Sequence, residues 1–338
     1  MYKIVALRVD FGGTIGFGHL FRMINLSKYL LNNKFKVILI SSRCNKIKFL
    51  SKKIILENKI KNFYDILNIL RKHNCNTLIS DISHIRNLRK KNFFLKYNIF
   101  FKKRNIKTIS FDDPSQFCSS NISIIPYPCK SIKIKKLKTT QILKGIEYSI
   151  IKEDCKKKKK KKFFSKTRNI LVILGGNPSE KILRNIIITI SKIDHPRVIT
   201  KIFIGHIKKK KFKYILKNKK KKKIFILFNK FENIQKLYSW SDFVIVGQGL
   251  SKIEAVAYKK PGFFTNNINQ NGINKKLIKD FNDLNLLKFV EASEFQNHQK
   301  IAKDLKGFLT SRKKIIFNLR NFENIKFNKS LDFIRRNV

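Results

Sequence analysis

An α/β protein of two similar halves, each a parallel sheet covered by helices, is the fold class this sequence predicts, and three observations predict it. Short apolar runs of strand length alternate with segments whose apolar residues recur at helical spacing, the pattern of strands joined by crossover helices. Glycine-rich turns follow strand-like runs in both halves, at residues 12–18, 175–176 and 247–249. At 338 residues the chain also exceeds one comfortable core, which makes two domains the default.

The first strand is the apolar run from Lys3 to Val9. Gly12, Gly13, Gly16 and Gly18 crowd the turn after it, and His19 opens a helix on which Leu20, Met23, Ile24 and Leu31 recur. Strand, glycine turn and helix together make an anion cradle. Glycines let backbone N–H groups approach phosphate oxygens, and the helix N-terminus adds a positive dipole end. An imidazole on the first turn of that helix is placed to act on a phosphorylated ligand, and Arg22, three residues on, shares its face. The plainer alternative makes His19 a capping histidine and Arg22 an exposed one. Further strands are expected at 36–40, 77–80, 107–111 and 122–125, with helices around 46–58, 62–73 and 85–103 between them. Asp81 and the pair Asp112-Asp113 end strands, where a carboxylate could hold a sugar or a histidine, or cap a helix.

Residues 156–162 are seven consecutive lysines, a block that repels itself and stays solvated, so 151–167 reads as a linker. A tether for nucleic acid or lipid is the alternative. The linker separates a first domain, 1–150, from a second, 168–338. The second begins with a strand at Ile170–Leu174, a turn of Gly175-Gly176-Asn177-Pro178 and a helix from Ser179 to Ile193. Lysine clusters at 208–211 and 219–223 flank a short helix. A strand at Phe243–Val246 then leads into Gly247-Gln248-Gly249-Leu250-Ser251 and a helix carrying Glu254. This turn again aims backbone N–H groups from a helix N-terminus. A carboxylate one turn into the helix suits two ribose hydroxyls, or equally a first-turn acid favoured by the dipole. Asn266-Asn267-Ile268-Asn269-Gln270 end the next strand, where ligands bind in α/β sheets, although Asn-rich turns are ordinary in so Asn-rich a chain.

Composition narrows the class. Apolar residues make up 43%, enough for sizeable cores. The net charge of +55, from 76 Lys and Arg against 21 Asp and Glu, would suit nucleic acid or an anionic surface. The lysines are spread over every segment, however, and Lys, Ile, Asn and Phe abound everywhere while Ala and Gly are scarce. That is compositional drift. No specific nucleic-acid partner is expected, only weak association with anionic surfaces through the Lys runs. No segment approaches the ~18–20 apolar residues of a membrane span. Lys3, Arg8 and Asp10 interrupt what a signal peptide would need, so none is expected. The five cysteines lack CxxC or Cys/His ligand spacing and read as reduced thiols in a cytoplasmic protein. The histidines show no HExxH spacing, so no metal site and no cofactor is expected.

These clusters together resemble a known family. Arg8-Val9-Asp10, followed by Gly16-Phe17-Gly18-His19 and Arg22, is similar to the start of the nucleotide-sugar hydrolases of the pseudaminic acid pathway. Those enzymes remove UDP from UDP-2,4-diacetamido-2,4,6-trideoxy-β-L-altropyranose. Their relatives include glycosyltransferases of spore-coat polysaccharide synthesis and, more distantly, the glycosyltransferase that makes lipid II. The resemblance continues through Phe111-Asp112-Asp113, Ile125-Pro126-Tyr127, Gly145-Ile146-Glu147-Tyr148, Gly175-Gly176-Asn177-Pro178, the block from Gly247 to Pro261, and Asn269-Gln270. It thus spans nearly the whole chain in order.

The resemblance implies a GT-B architecture, two Rossmann-like domains with the active site in the cleft. It implies His19 as the catalytic residue, activating water for attack at the anomeric carbon while UDP leaves without a metal. The UDP-sugar substrate would engage Asp10, Gly16, Gly18, Arg22, Gly176, Asn269 and Gln270. Gly249, Leu250 and Ser251 match the turn facing the pyrophosphate, and Glu254 matches the ribose-binding acid. The chain departs from the hydrolases twice. Asp81-Ile82-Ser83-His84 stands where they carry an Asp-His-Tyr-like segment, and Gly249-Leu250-Ser251-Lys252 replaces their Gly-Gly-Ser-Thr, nearer the spore-coat relatives. Three functions therefore compete: hydrolysis of a nucleotide-activated amino sugar in nonulosonic acid or surface-polysaccharide synthesis, transfer of that sugar by the same fold, and a basic protein that binds nucleic acid or membrane. Only the first two need His19, Glu254 and the glycine turns.

Overall fold

The computed structural model describes residues 2–11, 17–42, 51–82, 92–114, 116–152, 168–175, 178–193, 198–204, 223–227, 234–266, 272–284, 287–310 and 325–338. The chain divides into two units, Met1–Ile151 with Lys326–Val338, and Lys152–Ile325.

Among the described residues the first unit is built on a seven-stranded sheet. Its strands are β1 Ile4–Val9, β2 Lys36–Ile40, β3 Ile54–Glu57, β4 Thr77–Asp81, β5 Lys107–Phe111, β6 Ile122–Ile125 and β7 Gln141–Lys144. They lie in the order β3-β2-β1-β4-β5-β6-β7, with every neighbouring pair parallel. Helices α1 Gly18–Asn32, α2 Phe63–Lys72 and α3 Phe93–Lys102 cover it. Side chains alternate across a strand; Val5, Leu7 and Val9 form one apolar set of β1 and Ile4 and Ala6 begin the other, which ends in Arg8, so both faces of the sheet must be covered. Val5, Leu7 and Val9 pack against Leu20, Met23, Leu26 and Leu30 of α1. Ala6 joins Ile38, Ile40 and Leu78 against Ile66 and Leu70 of α2 and Tyr97 and Phe101 of α3. A reciprocal cap starts α2: the Asn62 side chain accepts from Asp65 N at 3.0 Å, and the Asp65 carboxylate accepts from Asn62 N at 3.1 Å.

The second unit repeats this arrangement with β8 Arg168–Ile173, β9 Val198–Phe203, β10 Lys223–Leu227, β11 Phe243–Gly247, β12 Gly262–Thr265 and β13 Lys288–Phe289. The order is β10-β9-β8-β11-β12-β13, all parallel. Its helices are α4 Glu180–Ser191, α5 Ile234–Trp240, α6 Leu250–Ala257, α7 Gly272–Asn282 and α8 His298–Thr310. Ile170 and Val172 of β8 pack with Leu183, Ile186 and Ile187 of α4 and with Ile301 and Leu305 of α8. Both sheets are thus wound outward from their first strand in two directions, the Rossmann arrangement, and the expected α/β class is the observed one.

The structure differs from the sequence expectations at three places. Where a helix was expected around 46–58, Ile54–Glu57 is a strand, paired residue by residue with Val37–Ile40. An apolar Ile-Ile-Leu run beside an open sheet edge gains more from pairing than from its local helical spacing, and the edge leaves Ile55 and Leu56 38% and 42% exposed. The C-terminal residues expected in a 168–338 domain pack instead on the first unit. There the helix Lys329–Asn337 buries Leu331 and Ile334 in the α1 core, and Asp332 accepts a bond from the Tyr29 hydroxyl at 2.6 Å. Lys223, expected beside a short helix, opens β10; residues 205–222 lie outside the described residues. So do 46–50 and 85–91 of two expected helices, and 153–167 of the linker. Cys75, Cys118 and Cys129 are buried and form no disulfide among the described residues, and Cys44 and Cys155 lie outside them. Among the described residues no helix is long and apolar enough to cross a membrane.

Candidate active site

In a doubly wound sheet the ligand crevice opens at the carboxyl ends of the strands, where the winding changes direction. In the first unit that point lies between β1 and β4, and Val9, the last residue of β1, pairs with Asp81, the last of β4. His19 is the second residue of α1, whose N-terminus carries no side-chain cap and no acid in its first turn. The His19 Nδ1 lies 2.6 Å from Asp81 Oδ1, and Arg22 Nε lies 2.9 Å from Asp81 Oδ2. The helical spacing of three puts both α1 side chains on one face, and one carboxylate serves both.

Burial is graded across this group. Asp81 is fully buried and Arg22 is 7% exposed, while the His19 side chain keeps 27% of its surface. With the carboxylate ionised, the imidazole donates from Nδ1 and its Nε2 is left as the acceptor, with no partner among the described residues. The Arg22 guanidinium lies 5.1 Å from the centre of the Phe111 ring and also bonds Tyr127. Burial alone would depress its pKa, but Asp81 and Tyr127 outweigh that and raise it. Burial likewise raises the Tyr127 phenol, with Arg22 opposing.

The remaining expected residues of this unit fall around that group. Gly18 is the first residue of α1, and Gly16 lies outside the described residues. Asp10 is buried and ion-paired to Arg8 at 2.8 Å. Asp112 sits in a buried cluster of Ser110, Ser120 and Ser123, accepting from Ser110 Oγ at 2.6 Å and also from Ser123. Burial pushes its carboxyl up to about 6, against the pull of the two hydroxyls. Tyr127 figures in the sequence reading only as part of the Ile125-Pro126-Tyr127 resemblance, with no role at the site; its place beyond an apolar strand end is too common to assign one.

In the second unit the winding reverses between β8 and β11. Gly175 adopts φ +99° after β8, a conformation that favours glycine. Gly247 ends β11 against β8 so closely that a Cβ there would sit 2.6 Å from the Leu174 carbonyl oxygen. Gly249 is exposed and precedes α6, of which Leu250 is the first residue. The buried Ser251 donates from Oγ to the Gly247 carbonyl at 3.3 Å, and its own carbonyl accepts from Tyr238 at 2.9 Å. Glu254 is the fifth residue of α6, beyond the first turn. Burial pushes its carboxyl up to about 7, and the Tyr238 hydroxyl partly offsets this. The Lys252 ammonium lies 4.6 Å from the Phe281 ring centre and 5.4 Å from that of Phe264, on the buried side of α6. Gly176, Asn269 and Gln270 lie outside the described residues.

No protein-family model matches the chain. No curated protein matches it by sequence. Solved structures do match by fold. MurG of Acinetobacter baumannii is 12% identical with a TM-score of 0.66, covering 99% of each chain. A UDP-GlcNAc 2-epimerase from Neisseria meningitidis, solved with UDP-GlcNAc bound, is 11% identical with a TM-score of 0.63, again over 99% of each chain. WaaG, a glycosyltransferase involved in lipopolysaccharide biosynthesis, is 11% identical with a TM-score of 0.59 over 98% of each chain. At these identities the likeness shows the fold: two Rossmann-like domains of the GT-B glycosyltransferase type.

Proposed function

We propose that the protein is an enzyme acting on a nucleotide-activated amino sugar, UDP-linked, and that it releases the nucleotide by hydrolysis. The observation that carries this reading is the pairing of His19 with the buried Asp81 at the winding reversal of its sheet. An imidazole held through Nδ1 by a buried carboxylate, with Nε2 available, is the arrangement of a general base. In the reaction a water oxygen attacks the anomeric carbon as Nε2 takes one of its protons. The bond from that carbon to the phosphate oxygen breaks, and UDP leaves with the electron pair. A diphosphate leaving group needs little acid assistance where backbone N–H groups and a helix N-terminus match its charge. The sequence resemblance gives those groups to the turn Gly247–Leu250 before α6, and the ribose hydroxyls to Glu254.

Transfer to an acceptor hydroxyl is the second reading, favoured by the glycosyltransferases among the structural matches. The pseudaminic acid pathway remains a reading of the sequence resemblance. A panel of UDP- and CMP-sugars, assayed for free nucleotide with and without acceptors, separates the two readings. Hydrolysis predicts UDP release with water alone, and release only on adding an acceptor assigns transfer. His19→Asn is expected to keep nucleotide binding while kcat drops at least ~100-fold, the scale of losing a general base. Wild-type turnover in this variant removes His19 from the reaction.

A further inference from the structure

Deepening the assignment of His19 as the base, and resting on it, we propose that Arg22 is a positioning residue that acts on His19 through Asp81. Sequence spacing alone leaves Arg22 free to meet a substrate phosphate or sugar. Its surroundings favour another use. Its Nε stands 2.9 Å from Asp81 Oδ2 as an ion pair without hydrogen-bonding geometry, the Phe111 ring stands 5.1 Å from the guanidinium carbon, and Tyr127 takes a side-chain bond. With 7% of the residue exposed, little guanidinium surface remains for a ligand.

The division of Asp81 is the core of the argument. One oxygen holds the His19 Nδ1 and the other meets Arg22, while the residue as a whole has no exposure to water. A buried carboxylate keeps its charge only where a fixed positive partner compensates for the lost water. Arg22 is that partner, permanently charged, and its charge 2.9 Å from Oδ2 favours the carboxylate rotation that leaves Oδ1 for His19. That rotation aims Oδ1 at Nδ1–H, sets the imidazole tautomer and leaves Nε2 to accept the proton. Without Arg22 the carboxylate would be free to turn from Nδ1, and His19 would lose both its orientation and its tautomer.

The test is a double-mutant cycle of Arg22→Met and Asp81→Asn with Arg22→Lys beside it, read by steady-state kinetics and by the proton resonance of the His19 Nδ1–H. That resonance is assigned by its loss in His19→Asn. Arg22→Met is expected to lower kcat by ~10–100-fold, the usual cost of removing the outer partner of a site group. The KM for the nucleotide sugar should stay within about twofold, and the Nδ1–H resonance should be lost. Arg22→Lys, which keeps the charge without the planar fork, should recover part of both. In the Asp81→Asn background Arg22→Met should cost little more, since both act through one bond. A raised KM with kcat and the resonance unchanged makes Arg22 a substrate ligand and overturns the proposal, as do additive effects in the cycle. Should Arg22→Met fail to fold, Arg22→Lys in the same cycle decides. The resonance needs no turnover. If the wild type releases nucleotide from no donor, or His19→Asn keeps full turnover, the reading of His19 as base falls while the fate of the resonance in Arg22→Lys still judges the positioning.

Discussion

Glu254 carries a carboxyl that burial lifts from the ordinary 4.5 to about 7. A raised acid pKa means that the folded protein holds a proton which the unfolded chain has already released. Stability from this group is present below pH ~4.5 and is lost as pH rises toward ~7, since the unfolded state binds fewer protons across that window. Denaturant titrations between pH 4.5 and 8 should show that decline, and it should be shallower in Glu254→Gln. If Glu254 accepts the ribose hydroxyls as proposed, nucleotide binding runs the other way: the ionised carboxylate is the acceptor, so UDP affinity should rise as pH passes ~7, with a step that Glu254→Gln lacks. By calorimetry Glu254→Ala should weaken UDP binding by ~1–3 kcal/mol, as expected for losing a charge-assisted hydrogen bond. Unchanged affinity in that variant removes Glu254 from the nucleotide site.

Two elements place the proposed chemistry, and each offers a test. The turn from β11 into α6 depends on the close approach of Gly247 to the Leu174 carbonyl, which leaves no room for a Cβ. Gly247→Ala forces the ends of β8 and β11 apart and should cost ~1–3 kcal/mol of stability, the range for overpacking a filled site. Because those ends carry both glycine turns of the second unit, UDP binding should fall with it while the first unit's melting stays as it was. The C-terminal helix Lys329–Asn337 closes the face of the first sheet that also carries α1, the helix of His19 and Arg22. Leu331→Ala opens a cavity there and should cost ~2–5 kcal/mol, read by denaturant unfolding. A loss much below that range would mean the helix is not a working part of the first core. Local spacing did not reveal this helix's place, because Leu331 and Ile334 would suit the surface of either unit equally well.

For the whole molecule the question is what a charge of +55 does. If the lysines are compositional, replacing Lys156–Lys162 with a neutral Gly/Ser linker should leave turnover of a soluble nucleotide sugar nearly unchanged. Charges beyond a Debye length of ~8 Å are largely screened at physiological salt. Filter binding of the parent protein to several RNA and DNA sequences should show weak, sequence-blind association that disappears as salt rises. Sequence-selective binding that survives ~0.15 M salt with a Kd below ~10⁻⁶ M would promote the nucleic-acid reading over the enzyme.

The sequence by itself determined the class of this protein and most of the first unit's strand positions. The reason is that burying a strand on both faces demands an apolar run, as in Val5–Leu7 and Leu78–Ile79, and such runs are visible without any partner. It also determined that His19 and Arg22 share a face, since three residues on a helix leave no other arrangement. Tertiary structure decided what those two residues meet. Asp81 lies 62 positions from His19, and only the insertion of β4 beside β1 brings it to the imidazole. It decided that 54–57 is a strand, because an open edge of β2 was there to pair with. And it decided that the last helix returns to the first core, because the Tyr29–Asp332 bond joins residues 303 positions apart, a distance over which local pattern carries no information.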